Sequence, residues 1–318
     1  MRLGLALVLA ASALQAHAQY PSRAVRVMVG FAPGGPNDII ARAYGARLAE
    51  ALGQPFVVEN RTGAAGNLAA EAVARAAPDG YTLMLGSTGT NAVNPSLYAN
   101  LPFDLVRDLT PVSVVATSPS ALAVHPKVPV QSVRELIALA KSQPGKLTYA
   151  SAGSGSSQHL SAELFKQAAG VDIVHVPYKG AAPGITDLLA GQVDMSFAPV
   201  ANVVPHAKAG KLRLLALTGA SRSDFAPGVP TMAESGLPGF DVTTWYAMFA
   251  TAGTAAETVQ RLNAELQKIA RIPQLREQLT NMGIDATASA SPAEARAYRD
   301  GEAERWGKLV RALGVKAE

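Results

Sequence analysis

The chain contains no cysteine. Disulfides, thiolate catalysis, cysteine-ligated zinc and acylation of an N-terminal cysteine are therefore excluded, and a chain this long can build a core without disulfides. Histidine is scarce: His125, His159, His175 and His206 are the four beyond residue 18. They are scattered through the chain, and no metal site is expected. Charged residues make up only 16% of the sequence and the formal net charge is +4, an excess that is not clustered. With aromatics at 6%, there is no basic and aromatic patch of the kind that stacks bases, so nucleic acid is not an expected partner. Beyond residue 18 no stretch is long and apolar enough to cross a bilayer, which takes about 20 residues.

The one early apolar run is Leu3–Leu14, preceded by Arg2 and followed by Ala16-His17-Ala18. A short positive start, an apolar centre and a small-x-small site form the pattern of a secretory leader. Residues 1–18 are expected to be such a leader, cut near Ala18, leaving a soluble exported protein.

The rest is 48% hydrophobic and patterned as alternating strands and helices. Val25–Phe31 reads as a strand and Ile39–Leu52 as a helix with Ile40, Tyr44, Leu48 and Leu52 on one stripe. Pro55–Glu59, a helix over Asn67–Ala77 and Tyr81–Leu85 follow, the β-α-β-α-β order of a sheet with helices on both faces. Val112–Ala116 and Ala121–Val124 read as two short strands separated by Ser118-Pro119, where the chain crosses between two lobes. The middle of the chain repeats the alternation, Asp241–Ala250 leads back, and the tail is helical. Ser291-Pro292-Ala293-Glu294 opens the last helix with a capping-box pattern.

Four polar, glycine-rich loops follow predicted strands: Phe31–Asn37, Gly86–Asn91, Ser151–Ser157 and Tyr178–Pro183. Open α/β sheets bind ligands at the C-terminal ends of their strands. Two of these loops belong to each lobe, so an inter-lobe cleft is the economical site. Helix N-termini with glycine and serine suit a carboxylate, and an ordinary strand-to-helix turn is the alternative for each. Lys179 is the one cationic candidate. Asp194 faces the cleft or caps a helix, and Phe31 and Trp245 are cleft walls or core.

Catalytic motifs are incomplete. Gly155-Ser156-Ser157-Gln158-His159 lacks the last glycine of a nucleophile elbow, and a Ser156–His159 pair has no evident acid. Gly153-Ser154-Gly155 lacks the third glycine of a dinucleotide fingerprint, and no Walker sequence is present. No catalytic residue, metal or cofactor is expected.

Gly30-Phe31-Ala32-Pro33-Gly34-Gly35-Pro36-Asn37-Asp38, Val58 to Asn67, Pro78 to Leu83, Ser151 to Leu160 and Val176 to Gly180, taken in this order, resemble the Bug (TctC-like) family. These are the extracytoplasmic solute-binding proteins of tripartite tricarboxylate transporters. The resemblance implies an α/β, two-lobed periplasmic binding protein-like fold of type II. Each lobe would be a mixed, mostly parallel sheet flanked by helices, with 19–121 plus 240–318 as one lobe and 122–239 as the other. It implies a periplasmic, non-enzymatic receptor for a small carboxylate, monomeric, partnered by membrane permease subunits or by a sensor-kinase ectodomain. Carried onto this sequence, the ligand site comprises Phe31, Ala32, Gly35, Pro36 and Asn37, with Ser87 and Thr88, and Ser154, Ser156 and Ser157. Gly180, Ala181, Ala182 and Asp194 are assigned to the distal end of the ligand, with Trp245 as a wall.

Overall fold

The computed structural model describes residues 20–314 apart from 99, 102, 155, 179, 180, 221 and 224. Its first elements are β1 (Val25–Val29), α1 (Pro36–Leu52), β2 (Phe56–Asn60), α2 (Asn67–Ala74) and β3 (Thr82–Ser87). A π turn, Gly89–Val93, and the short helices α3 (Asn94–Leu97) and α4 (Leu105–Asp108) lead into the long β4 (Leu109–Val124). Next come α5 (Val133–Ser142), β5 (Thr148–Ser151), α6 (Ser157–Ala169), β6 (Val174–Pro177), α7 (Ala181–Leu189), β7 (Met195–Pro199), α8 (Val200–Lys208) and β8 (Arg213–Leu217). The chain ends with β9 (Thr243–Thr251), α9 (Ala256–Ala270), α10 (Pro273–Thr280), β10 (Asp285–Ala286) and α11 (Pro292–Leu313).

The strands form a ten-stranded mixed sheet in the order β2-β1-β3-β9-β4-β7-β5-β6, with β8 and β10 also on β4. β4 serves both halves. Its residues Leu109–Pro119 pair with β9, and Ser120–Val124 pair with β7, with β8 alongside from Ala121. In each half the flanking strands are parallel and the pairings at β4 are antiparallel. The expected break at Ser118-Pro119 is absent: Pro119 is the last residue of β4 paired with β9, at the end of that ladder where β4 passes to β7. Pro111 is accommodated by a register shift immediately after it. The return crossing lies beside this point: Thr218 N–H donates to the Ser120 carbonyl (2.8 Å), and Val242 N–H to the Thr218 carbonyl (2.7 Å).

Helices cover both faces, as the near-continuous burial of β3, β4 and β9 requires. Val25, Val27 and Val29 pack with Ile40, Tyr44 and Leu48 of α1 and Leu262 and Leu266 of α9. On the other face Met28 and Met84 join a core that continues through Phe249 and Trp245 to Phe165, Phe197 and Trp306. α11 begins with Ser291 Oγ accepting the Glu294 N–H (3.1 Å), as its capping pattern predicts. No helix among the described residues is long and apolar enough to cross a membrane.

Candidate functional site

Register alone brings the strand-end loops together. Ser87, the last residue of β3, pairs with Tyr246, which pairs with Ala116 of β4. Pro199, the last residue of β7, pairs with Ser120 from the opposite direction. The C-terminal ends of β1 and β3 therefore point along β4 toward those of β5, β6 and β7. Ala116 and Ser120 are four positions apart on β4, about 13 Å of strand, which is room for a small ligand.

On the first side, the loop after β1 is held by a polar network that the sequence reading did not single out. Asp38 accepts the Gly34 N–H (3.0 Å) and pairs with Arg42 (2.9 Å). Asn60, at the end of β2, donates from Nδ2 to Asp38 and to the Phe31 carbonyl, both at 2.9 Å. Burial pushes the Asp38 carboxyl up, but Arg42, the Gly34 N–H and Asn60 together hold it below the usual carboxylate range. The legible signal was Asp38 and Arg42 at helical spacing. Gly35 is the N-cap of α1 and Pro36 its first residue, where a missing N–H costs no helix hydrogen bond. Phe31, Gly35 and Pro36 are half-buried, Ala32 is exposed and Asn37 is buried. The side-chain Nδ2 of Asn37 has no hydrogen-bond partner among the described residues.

The loop after β2 closes against the same corner. A Cβ built on Gly30 would lie 2.4 Å from the Gly66 Cα, and one on Gly66 would lie 3.3 Å from the Phe31 ring. Ala65 is held by Thr90 Oγ1 (2.9 Å) and Asn94 Nδ2 (3.1 Å), both donating to its carbonyl. Ser87 is buried, and its N–H donates to Asn91 Oδ1 (3.2 Å). Thr88 is also buried, and its hydroxyl accepts the Trp245 N–H (2.8 Å), which ties the end of β3 to β9.

On the second side, Ser156 is the N-cap of α6: its Oγ accepts the main-chain N–H of His159 (3.3 Å). Ser156 thus meets His159 as a helix cap to the peptide N–H. Ser154, Ser156 and Ser157 are half-buried, and the Gln158 Oε1 is buried without a partner among the described residues. The His175 ring lies 2.6 Å from Ser151 Oγ and stacks on His159 with centroids 4.1 Å apart. Ala181 and Ala182 open α7, half-buried and exposed respectively. Gly180, with Lys179, lies outside the described residues.

The structure moves two expected site residues away. Asp194 precedes β7, at the opposite end of that strand from Pro199. Its carboxylate accepts from the N–H (2.8 Å) and hydroxyl (2.9 Å) of Thr148 and pairs with Lys127 (3.1 Å). It therefore fastens the start of β7 to β5, away from the end of β7 that meets Ser120. Trp245 is fully buried, its indole N–H donating to Glu302 (3.0 Å), which also takes the Trp306 N–H (3.1 Å). Its side chain is core, because β9 is covered by α11 on that face.

The remaining groups are neutral donors, hydroxyls and the first turns of α1 and α6, which carry N–H groups without intrahelical acceptors. Such an arrangement can hold an anion without a counter-charge. No cluster of metal-ligating side chains occurs among the described residues.

Residues 40–315 match the family model described as "Tripartite tricarboxylate transporter family receptor". Among solved structures, the chain is similar to Rpa4515 of R. palustris with adipate: 38% identity, TM-score 0.85, covering 93% of this chain and 99% of that one. The periplasmic binding protein BugD gives 34% identity and a TM-score of 0.82, covering 94% and 100%. MatC (Rpa3494) from Rhodopseudomonas palustris with bound malate gives 36% identity and a TM-score of 0.80, covering 92% and 100%.

Proposed function

Because the chain belongs to the tripartite tricarboxylate transporter receptor family, whose members are ligand-binding receptors and not enzymes, we propose that it captures a small carboxylate between two lobes and delivers it to membrane permease subunits. Export through the Met1–Ala18 leader would put it in the periplasm, the compartment named for BugD.

The observation that carries this reading is the convergence of the strand ends on the middle of β4, with α1 starting on one side and α6 on the other. The lobes would be 19–121 plus 240–318, and 122–239. The change of partners at Pro119–Ser120 and the Thr218–Val242 contact support a hinge at that level. The first jaw is Phe31 to Asn37 with Ser87 and Thr88, and the second is Ser154, Ser156 and Ser157 with the start of α7. Preformed dipoles bind a carboxylate and also let it go, as a delivery protein must. Apparent affinity then scales with the population of the closed form.

Relatives hold adipate and malate, so linear and hydroxylated dicarboxylates are the first compounds to try. A thermal-shift screen of mono-, di- and tricarboxylates tests the reading, since a ligand specific for the folded state raises its midpoint. A midpoint unmoved by every carboxylate at saturating concentration would count against it.

A further inference from the structure

We propose that His175 is a positioning residue for the serine-rich loop after β5, and that it acts as a neutral ring stacked on His159. The proposal rests on reading that loop as part of the ligand site, and its test lets the two fail separately.

His175 sits on β6, at the end of the sheet, and reaches across to the last residue of β5. Its Nε2 is 2.6 Å from Ser151 Oγ. The same hydroxyl accepts the Gly153 N–H (3.1 Å) and lies 3.2 Å from the Gly153 carbonyl, which takes the Ser156 N–H (3.1 Å). Ser156 in turn caps α6. A continuous chain of hydrogen bonds thus runs from the imidazole to the cap of the helix whose N-terminus is the second jaw. Gly153 has a φ of +118° and sits close under the Tyr178 carbonyl, so the turn has little freedom to rearrange.

Two nearly parallel rings support the imidazole. His159 from the first turn of α6 lies 4.1 Å away at 6°, and Tyr149 from β5 lies 4.9 Å away at 16°. The charged groups facing this stack are Glu163 and Lys166 of α6, paired with each other at 2.9 Å, and Glu163 also accepts the Tyr149 hydroxyl (2.8 Å). Burial and then His159 push the His175 pKa down to about 4, against Glu163 and with Lys166. A proton on this ring would place a cation against a second imidazole in a half-buried site. It would also make Nε2 a donor only, so that the Ser151 hydroxyl turns its proton from the ring to the Gly153 carbonyl 3.2 Å away, where it competes with the Ser156 N–H.

The test compares wild type with His175→Phe, which keeps a ring and loses Nε2, and His175→Gln, which keeps a polar atom near Nε2 and does not titrate. With adipate as the probe at about pH 7, Phe should lower affinity about tenfold and Gln should restore it. Hydrogen exchange at the Gly153, Ser154 and Ser156 amides should speed up in the Phe variant only. As pH falls, those amides should loosen in wild type in step with protonation of the His175 ring, followed by NMR, and stay protected in the Gln variant. Equal protection in wild type and Phe, or loosening at the same pH in wild type and Gln, overturns the inference. If adipate binds none of the three proteins, the ligand reading fails, and the exchange data still decide the role of His175.

Discussion

The side-chain amide of Asn60 donates to the main-chain carbonyl of Phe31 across 2.9 Å. Asn60 ends β2 and Phe31 lies two residues past the end of the adjacent parallel β1, and the bond fixes the path of the loop after β1 as it leaves the sheet. Asn60 also touches Asp38, so a single side chain links the loop, the first turn of α1 and the sheet edge.

Asn60→Ala is therefore expected to act on the loop without touching the ligand. It leaves the Phe31 carbonyl and one Asp38 oxygen short of a donor, at a cost of about 1–3 kcal/mol. Denaturant unfolding should report that loss, and calorimetry should report weaker carboxylate binding. Wild-type affinity in a destabilised variant would separate the network from the site.

Gly30→Ala places a methyl 2.4 Å from the Gly66 Cα, a backbone atom that cannot swing aside. Overpacking of this kind costs about 1–3 kcal/mol. The corner between the loops after β1 and β2 should open, with a lower unfolding midpoint and reduced affinity. A variant with the wild-type midpoint would show that this contact is not tight.

Trp245→Phe removes the indole N–H that meets Glu302 and leaves the cleft surface unchanged. Stability should fall by about 1–3 kcal/mol, while carboxylate affinity stays at the wild-type value. Loss of affinity without loss of stability would return Trp245 to the ligand site.

Asp38 predicts an acid limit for the first loop. Its folded pKa is lowered, so the unfolded chain binds the proton more readily. The stabilisation is complete above about pH 4 and is lost as pH falls through the lowered folded value. Arg42→Ala should raise the Asp38 pKa and shift acid unfolding to higher pH, with NMR following the carboxyl. An Asp38 that titrates in the ordinary range in wild type would contradict this.

Most strands and helices were legible because their signals are local: the stripe Ile40, Tyr44, Leu48, Leu52, the cap at Ser291, and apolar runs ending in glycine and serine. β4 was not, since Pro111 and Pro119 read as breakers until the bulge and the change of partner are seen. The strand-end loops were legible as a class, but the side chains holding them were not. Asn60 and His175 act through residues 29 and 24 positions away, a distance that periodicity cannot report. Asp194 and Trp245 were misplaced for a related reason. Sequence gives the order of a strand but neither which of its ends faces the seam nor which face a later helix covers.

The most direct measurement is titration calorimetry of a carboxylate found in the thermal screen, comparing wild type with the Ser154→Ala, Ser156→Ala double variant. Loss of the α6 cap costs about 1 kcal/mol of stability, so the variant should remain folded. The account predicts one ligand per chain for wild type and at least about tenfold weaker binding for the variant. Equal affinity in the two folded proteins would contradict the claim that the serine-rich loop is a jaw of the carboxylate site.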